Sequence, residues 1–511
     1  MVIGATYSQA VYKEYEKTHD SDLFERIIDD LMVERYSDDP DTTNYINSLP
    51  PSKKRIAILS LLDEDNYEWD VLRKKIRGNK VSKYKHLTEI IEDLRIFAKL
   101  GKVNKKTQGE VMTPIEELAK PMVKLIEKYD DSFWEDPNNK ILDSSAGIGT
   151  FLILSLIKFW YGLKEWEPNE EKRYKHIVEN CLYYGELRSR NVFLWLCLID
   201  PYNEYKTNTY WGSFLDDGDK KPFDVHMNLV WKVNDFEAII QNPPFQIVKE
   251  NNTRSHTLWN SFVEKSLTLL KEDKYMVMVH PGAWRNVESD FKDIQVLLRS
   301  KQILELHIHS QNDGVKLFGV ETTYDYYILK NTDNYTTTNI KLQSGGFENV
   351  NISKMEFIPN GMFKFIESLL STDNNVSIIG DSSYHTQRDH LSKTKDSIYK
   401  YPCIYTIAKG DILKLWYSNV NDKGHFGIPK LVWSNGRIKS VGTFVDEKGD
   451  YGVTQFSYAI IDSVENLKSM KKVFDSKKFR DAMEFCSMGV MAINRKIIGT
   501  FKKDFWKEFI D

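Results

Sequence analysis

Asn242-Pro243-Pro244-Phe245 is the segment whose residue types and order could do chemistry. Consecutive prolines remove two amide donors and fix the backbone, so that the carbonyl of Pro243 points outward. The side-chain oxygen of Asn242 and that carbonyl provide two acceptors for the two hydrogens of a planar exocyclic amine. Such acceptors favour a pyramidal nitrogen and bring its lone pair towards an electrophilic methyl group, which is electrostatic preorganisation. If the amine belongs to a nucleic-acid base that has left its stack, Phe245 would offer a ring face for stacking on that base. A rigid structural turn is the alternative interpretation.

A glycine turn from Asp143 to Gly149 follows a short apolar run and precedes an apolar helix. Glycines let a backbone approach a ligand closely at the carboxyl end of a parallel strand. The spacing is not GxGxxG and no lysine follows Gly149, which does not support a phosphate cradle. The acid ahead of the turn suits an ammonium group. Glu186, which ends the next apolar run, could accept both hydroxyls of a ribose. A structural glycine turn and a surface acid are the alternative interpretations.

The elements that must position these residues have an alternating order. From about residue 107 to 330, apolar runs are followed by helical stretches, which is typical of an α/β sheet. Residues 1 to about 105 are mostly helical and charged, and the part after about 331 has many short β-like pieces. We therefore predict an α/β fold with a Rossmann-like sheet (106–335), a helical N-terminal region (1–105) and a separate mixed α+β domain (336–511).

Composition limits the function classes. The net charge of the 511 residues is −4, but residues 391–440 contain nine Lys/Arg and three Asp, a local balance of +6 that could follow a phosphate backbone. A solvated basic face is the alternative. The sequence contains no run of about 18 apolar residues, so it predicts no membrane helix. The N-terminus lacks the layout of a signal peptide. The four cysteines have no metal-ligand spacing, so we expect reduced thiols, no metal and a cytoplasmic protein.

The three motifs, in this order, resemble the amino-methylating DNA methyltransferases of the gamma arrangement, over about residues 107 to 330. The resemblance implies S-adenosylmethionine as cofactor and the exocyclic N6 of adenine in duplex DNA as target, reached by base flipping. It places Thr113 and Pro114 against the methionine part of the cofactor, and Phe318 on the second face of the flipped base. The cofactor loop would consist of Asp143, Ala146, Gly147 and Gly149, with Glu186 on the ribose.

Two positions depart from the family pattern. Ser144 stands where the family often has Pro. Gly212-Ser213-Phe214-Leu215 stands where it usually has Gly-Asp-Phe-Leu, whose Asp holds the adenine amine of the cofactor. We expect Ser213 and Phe214 to bind the cofactor, with Asp216 and Asp217 as nearby substitutes.

The C-terminal part resembles the target-recognition segments of restriction–modification methylases of the Type IIG kind. It is basic, aromatic and rich in turns, and it offers Lys423, His425, Lys430 and Arg437 to phosphates or base edges. Merely covering a β-rich domain is the alternative role for any one of them.

Other functions stay open at this point. Cytosine N4, RNA adenine or protein glutamine would also present an amine attached to a planar carbon, and a non-catalytic DNA-binding subunit is a further alternative. The methyltransferase part of a bifunctional restriction–modification enzyme is another alternative, since some relatives fuse a nuclease to the methylase. No Glu-x-Lys or Asp-x-Lys with a preceding acid occurs here in a convincing strand context. The N-terminal region is expected to clamp DNA or to dock a partner. We expect a cognate endonuclease or a specificity subunit as partner, and the composition suits a bacterial or viral genome.

Overall fold

The computed structural model describes residues 113–200, 204–218, 220–247, 256–287, 290–334, 336–434, 436–488 and 492–510, and six single positions between 26 and 95. The predicted helical region 1–105 therefore lies outside the described residues, apart from those six positions. Contacts divide the chain into two compact units. The first consists of Met1–His280, Ser300–Leu306 and Asp325–Thr336, and the second of Pro281–Arg299, His307–Tyr324 and Thr337–Asp511.

The first unit is built on a sheet whose strands follow the order β8-β9-β7-β4-β1-β2-β3. Strand β1 pairs in parallel with β2 and with β4, and the pairs β2–β3 and β4–β7 are parallel as well. The bounds are β1 Ile141–Asp143, β2 Leu182–Glu186, β3 Asn208–Trp211, β4 Phe236–Gln241, β5 Gln246–Ile247, β6 His256–Thr257, β7 Leu270–Pro281, β8 Gln302–His309 and β9 Tyr324–Lys330.

Helices connect these strands. They span Lys120–Tyr129, Thr150–Gly162, Glu170–His176, Ser189–Ile199, Pro222–His226 and Trp259–Leu269, with π-helical turns at Ile115–Ala119, Ile177–Cys181 and Met227–Trp231 and a 3-10 turn at Phe133–Glu135. Strand β4 is buried along its whole length, as expected for a parallel strand that is covered on both faces. The predicted α/β class with a mostly parallel sheet is confirmed.

The strand order indicates where a ligand would bind. From β1 the chain proceeds to β2 and β3 on one side, and then returns to β4 on the other side of β1. In open α/β sheets, ligands bind beyond the carboxyl ends of the strands at such a switch point. The glycine turn follows β1 and the Asn242 turn follows β4, so that both motifs lie at this edge.

The second unit contains a hairpin and two four-stranded sheets, β12-β19-β16-β17 and β13-β15-β14-β18. Its strands are β10 Thr338–Lys341, β11 Phe347–Val350, β12 Ile378–Ile379, β13 Leu391–Ser392, β14 Tyr401–Ala408, β15 Ile412–Ser418, β16 Lys430–Ser434, β17 Thr443–Asp446, β18 Gly452–Val453 and β19 Ser457–Ile461. Its helices are Lys292–Arg299, Gln311–Phe318, Phe363–Leu369, Val464–Asp475, Lys477–Phe485 and Arg495–Ile498, with 3-10 turns at Gly282–Arg285, Ile352–Lys354, Ser382–Tyr384 and Phe505–Phe509.

The core of this unit forms where the helices Val464–Asp475 and Lys477–Phe485 bury aromatic and aliphatic side chains such as Phe474 and Phe479 together with Trp433 of β16. Within the described part of the chain, none of the helices has the length and apolar character that crossing a membrane requires. The predicted domain limits at 105/106 and 335/336 stay predictions.

Candidate active site at the edge of the parallel sheet

Asp143 is the last residue of β1 and its side chain is 1% exposed. Its Oδ1 accepts a hydrogen bond from the Ser145 N–H at 3.1 Å. Burial raises the pKa of this carboxyl well above its ordinary value, the Ser145 amide opposes the rise, and the carboxylate of Glu186 adds to it. Two acidic groups are therefore brought close enough to interact, which favours a positively charged ligand at this edge.

The two glycines of the turn differ in what they allow. Both have positive φ, +53° at Gly147 and +85° at Gly149, which a residue with a side chain rarely adopts. A Cβ at Gly149 would lie 2.3 Å from Cε3 of Trp195, so this glycine permits close packing. A Cβ at Gly147 would meet nothing within 4 Å, so open space lies in front of that residue. The Ala146 N–H donates to the carbonyl of Gly185 at 3.1 Å and fixes the turn to β2.

Glu186 ends β2 and closes the same turn. Its Oε2 accepts from the Gly147 N–H at 2.9 Å, and its Oε1 accepts from the N–H groups of Leu187 and Arg188 at 2.8 and 2.9 Å. The carboxylate is thereby held in one orientation beside Gly147. The sequence prediction of an acid beside the glycine turn thus corresponds to a direct contact, whereas its role on a ribose stays a prediction.

The residues of this edge fit S-adenosylmethionine, which carries an ammonium group, a sulfonium and a ribose. Ser145 Oγ is buried and has no hydrogen-bond partner among the described residues, as expected for a group that faces a bound ligand. The open space before Gly147 leaves room for a ligand, and the carboxylates of Asp143 and Glu186 suit its positive charge. No group of three or more His, Cys, Asp or Glu in the described part of the chain could hold a metal ion.

Asn242 follows β4 directly, and its Nδ2 donates to Oγ1 of Thr113 at 3.2 Å. The structure thus brings together two predicted site residues that lie 129 positions apart in sequence. Because this hydrogen bond engages the nitrogen, Oδ1 is the atom that can accept from an amine. Pro114 precedes the turn Ile115–Ala119, and its carbonyl accepts from the N–H groups of Leu118 and Ala119 at 3.3 and 2.9 Å.

The rest of the Asn242 turn is partly open. Pro243 is buried, Pro244 is exposed and Phe245 is partly exposed. The carbonyl of Phe245 accepts from the Leu258 N–H at 3.2 Å, which joins the turn to the segment before the next helix. A partly exposed aromatic ring beside an exposed proline can stack on a flat ligand.

Ser213 and Phe214 lie just beyond β3. The Ser213 hydroxyl donates to the carbonyl of Leu215 at 3.0 Å, so it is engaged within its own loop. Phe214 is buried and packs its ring at 4.9 Å from that of Phe223. Asp216 forms an ion pair with Lys265. The loop is tied to the site through the Gly212 N–H, which donates to the Glu186 carbonyl at 2.9 Å.

Sequence reasoning missed a tyrosine that supports the glycine turn. The hydroxyl of Tyr184 donates to the Gly147 carbonyl at 2.5 Å, and its ring stacks on Trp195 with centroids 4.8 Å apart. Gln241, which directly precedes Asn242, was missed as well, although a glutamine that ends the apolar run FEAII is itself a signal. Its side chain is fully buried and accepts a hydrogen bond from the Ser144 hydroxyl.

Phe318 belongs to the second unit, where it ends the helix Gln311–Phe318. Its side chain is 4% exposed and meets the ring of Tyr324 edge to face, with centroids 4.9 Å apart. Its proposed stacking on a base stays a prediction.

The predicted DNA contacts of the second unit divide into two groups. Lys423 and Arg437 are exposed and His425 is partly exposed with φ of 61°. Lys430 is 0% exposed, and its Nζ donates at 2.8 Å to Oδ2 of Asp446. The same Nζ donates to the carbonyls of His425 and Ile428 at 3.0 and 3.2 Å. The expectation that Lys430 contacts phosphates is therefore wrong for this structure, because the ammonium is buried in an internal ion pair.

Residues 160–315 match the family model described as Eco57I restriction-modification methylase. The matched range includes Glu186 and the Asn242 turn. The predicted resemblance to restriction–modification methylases is confirmed, and the match supports a methyltransferase of that type. A comparison with curated proteins gave no match.

The chain is similar to three solved structures. The chain is similar to a nuclease-deletion mutant of the Type ISP restriction-modification enzyme LlaGI in complex with a DNA substrate mimic, with a TM-score of 0.51 and 13% identity over 95% of this chain and 53% of that chain. A modification subunit of a putative type I restriction enzyme from Vibrio vulnificus gives 0.38 and 15% identity, covering 58% and 62%. A putative class I S-adenosylmethionine-dependent methyltransferase from Listeria monocytogenes gives 0.38 and 14%, covering 59% and 87%.

At 13% identity, the likeness to the LlaGI structure shows the fold alone. The chain spans about half of the LlaGI chain and 62% of the Vibrio vulnificus subunit.

Proposed function

We propose that this protein, which matches restriction–modification methylases, transfers a methyl group from S-adenosylmethionine to the exocyclic N6 of adenine in duplex DNA. One observation carries the proposal. The Asn242 amide follows β4 at the switch point of the sheet, and Thr113 engages its nitrogen at 3.2 Å, so that its oxygen is available to an amine. The glycine turn that fits the methyl donor follows the neighbouring strand β1.

The cofactor would be held by the residues around the glycine turn. Asp143 and Glu186 would take its ammonium group and its ribose, the backbone at Gly147 would allow its close approach, and the Ser145 hydroxyl would gain a partner. When bound, the group supplies an electrophilic methyl on a sulfonium. The burial that raises the pKa of Asp143 is offset when a positive group lies beside the carboxylate, because an opposite charge favours the ionised form.

The Asn242 turn would act on the target amine. The oxygen of Asn242 and the carbonyl of Pro243 would accept hydrogen bonds from the two amine N–H groups and favour a pyramidal nitrogen, whose lone pair would point at the methyl group. As the bond from nitrogen to the methyl carbon forms, the bond from that carbon to sulfur would break, and one amine proton would leave to water. Acceptors of this kind, aimed at developing charge, contribute about 10²–10³ in rate each. Phe245 would stack on the base, which must leave the duplex to reach the turn.

The second unit would bind the DNA around the target. Of the nine Lys and Arg between 391 and 440, all except Lys430 are exposed, so the local positive charge lies largely on the surface. Lys423, His425 and Arg437 are the predicted contacts that stay available there. Binding through such cations weakens as salt rises, because counterions are released from the phosphates.

Methyl transfer to defined duplexes tests the proposal. The purified full chain is incubated with radiolabelled cofactor and a library of duplexes, and the modified DNA is digested to nucleosides. We expect labelled N6-methyladenine within one short sequence motif. Methylcytosine would replace the adenine assignment with the N4 of cytosine, and no transfer to any duplex while RNA or protein is labelled would overturn the proposal.

A further inference from the structure

Gln241 carries a primary amide into the interior of the sheet. It is the last residue of β4, its side chain is 0% exposed, and every residue of that strand is buried. A buried amide is unfavourable unless its hydrogen bonds are made. Gln241 makes them with two serines, because its Oε1 accepts from the Ser144 hydroxyl at 2.6 Å and its Nε2 donates to Ser266 Oγ at 2.5 Å.

The three partners belong to three different parts of the site. Ser144 follows Asp143 in the glycine turn, Gln241 precedes Asn242, and Ser266 lies in the helix Trp259–Leu269 that follows the Asn242 turn. All three side chains are buried. One chain of hydrogen bonds therefore joins the segment that fits the methyl donor to the segment that would hold the amine.

The backbone pairing of β1 and β4 does not extend to the glycine turn and Asn242, so side chains connect these two segments. Within the described residues, the parallel register of β1 and β4 pairs Ile141 with Ala238 and Leu142 with Ile239, and ends there. Beyond this pair, Ile240 and Gln241 of β4 pair with β7 and Asp143 of β1 pairs with β2. The hydrogen bond between Ser144 and Gln241 then connects the two segments.

We propose that Gln241 is a positioning residue which, through Ser144 and Ser266, sets the separation of the glycine turn and Asn242. The inference rests on the proposed function and deepens it. Methyl transfer needs reacting atoms about 3–3.5 Å apart, and a displacement of about 1 Å costs on the order of 10²-fold in rate. Gln241 touches neither reactant, so it acts on rate only through the position of Asn242.

The decisive variant is Gln241→Met, which preserves the length of the side chain and removes both hydrogen bonds. We expect the single-turnover rate of methyl transfer to fall by about 30- to 100-fold. The dissociation constants of cofactor and DNA, measured by calorimetry and fluorescence anisotropy, should stay within about threefold of the wild type, because both binding surfaces remain. Ser144→Ala removes one of the two bonds and is expected to cost about 10-fold in the same rate.

A matched control separates positioning from stability. Gln302 is a buried glutamine of the same sheet, and its side chain bonds to the Ile303 carbonyl and the Thr336 N–H at 2.7 and 2.6 Å. Gln302→Met should lower the melting temperature and leave the single-turnover rate unchanged. In the double variant Ser144→Ala/Gln241→Met, the loss of rate should equal that of Gln241→Met alone, since Ser144 acts through Gln241.

The outcomes distinguish the two proposals. A wild-type rate in Gln241→Met or Ser144→Ala, or equal losses in Gln241→Met and Gln302→Met, overturns the positioning role while the proposed function stands. Should Gln241→Met fail to fold, Ser144→Ala decides the question. A wild-type chain that transfers no methyl group to any duplex overturns both.

Discussion

The Asn242 turn and the loop 421–430 were both predicted to contact the substrate. They differ in how far the local sequence determines the position of each side chain. At Asn242 two prolines and the end of a buried strand restrict the backbone, so the position of the amide follows from local sequence. In the loop the prediction rested on counting cations. Lys423 is exposed, whereas Lys430 is buried against Asp446, although both are lysines of the same basic segment. A turn motif therefore predicts where a side chain lies, whereas a count of charges does not predict which of them are exposed.

The buried pair gives the loop a framework. Oδ1 and Oδ2 of Asp446 also accept from the N–H groups of Asp450 and Tyr451 at 2.9 and 3.0 Å. The Lys430 ammonium and the Asp446 carboxylate therefore join the turn 425–428 to the turn 446–451. Burial lowers the pKa of Lys430, and the hydrogen bond and charge of Asp446 oppose that change. In this region a lysine contributes to the fold and only indirectly to any contact with DNA.

The largest effect is expected at the turn. Asn242→Ala should lower the rate of methyl transfer by about 10³-fold, which corresponds to about 4 kcal/mol of barrier, because an acceptor aimed at the amine is lost. Cofactor binding, measured by calorimetry, should survive, whereas Asp143→Ala should weaken it. If Asn242→Ala kept more than about a tenth of the wild-type rate, which is only about 1.4 kcal/mol, the role assigned to Asn242 would be wrong.

The second effect concerns stability in the loop. Lys430→Met leaves the buried Asp446 carboxylate without its counter-charge, which should reduce the free energy of unfolding by about 3–5 kcal/mol. Lys423→Ala, at an exposed position, should change it by no more than about 0.5 kcal/mol. Urea unfolding followed by tryptophan fluorescence measures both. Equal free energies of unfolding for the two variants would contradict the internal role of Lys430.

The sequence predicted the parts of the site that local rules determine. The glycine turn requires positive φ, Glu186 ends a strand beside it, and the alternation of runs and helices led to the parallel sheet. Contacts between distant segments could not be read in this way. The Asn242–Thr113 hydrogen bond joins residues 129 positions apart, and the burial of Lys430 depends on an acid sixteen positions later on the adjacent strand. Such contacts arise from packing, which periodicity and composition do not encode.

The third effect is the pH dependence of cofactor binding. Burial raises the pKa of Asp143 above its ordinary value, so the carboxyl is protonated below the raised pKa and attracts an ammonium group only above it. The affinity for S-adenosylmethionine should therefore increase as pH rises through that pKa, by up to about tenfold per pH unit. Calorimetry across the pH range in which the protein stays folded measures this. Asp143→Asn should abolish the dependence, and a persisting dependence would assign it to another group.

The stability of the ligand-free protein should change in the opposite direction. A carboxyl whose pKa is raised in the folded state binds its proton more tightly there than in the unfolded chain. Its contribution therefore favours folding at low pH and is lost as pH rises from the ordinary value of 3.8 through the raised pKa. Asp143→Asn should flatten this part of the stability curve, which thermal unfolding at a series of pH values measures.

The fourth effect tests how the amide of Asn242 is oriented. Thr113→Val retains the shape of the side chain and removes the oxygen that accepts from Asn242 Nδ2, so the amide loses its restraint. We expect the single-turnover rate to fall about fivefold, as one hydrogen bond contributes on the order of 1 kcal/mol. Thr113→Ser retains the oxygen and should restore most of the rate. A Val variant as fast as the wild type would show that the prolines alone orient the turn.

The smallest effect is expected from the exposed cations of the loop. Lys423→Ala removes one phosphate contact, which should lower the salt dependence of DNA binding by about 0.9 in the slope of log K against log[salt] and weaken binding a few-fold at low salt. Fluorescence anisotropy with specific and unrelated duplexes should show similar losses for both, since a phosphate contact carries no sequence information. A loss confined to the specific duplex would instead indicate that Lys423 reads a base edge. The loop would then specify sequence through a side chain whose position its framework determines, as the turn does for Asn242.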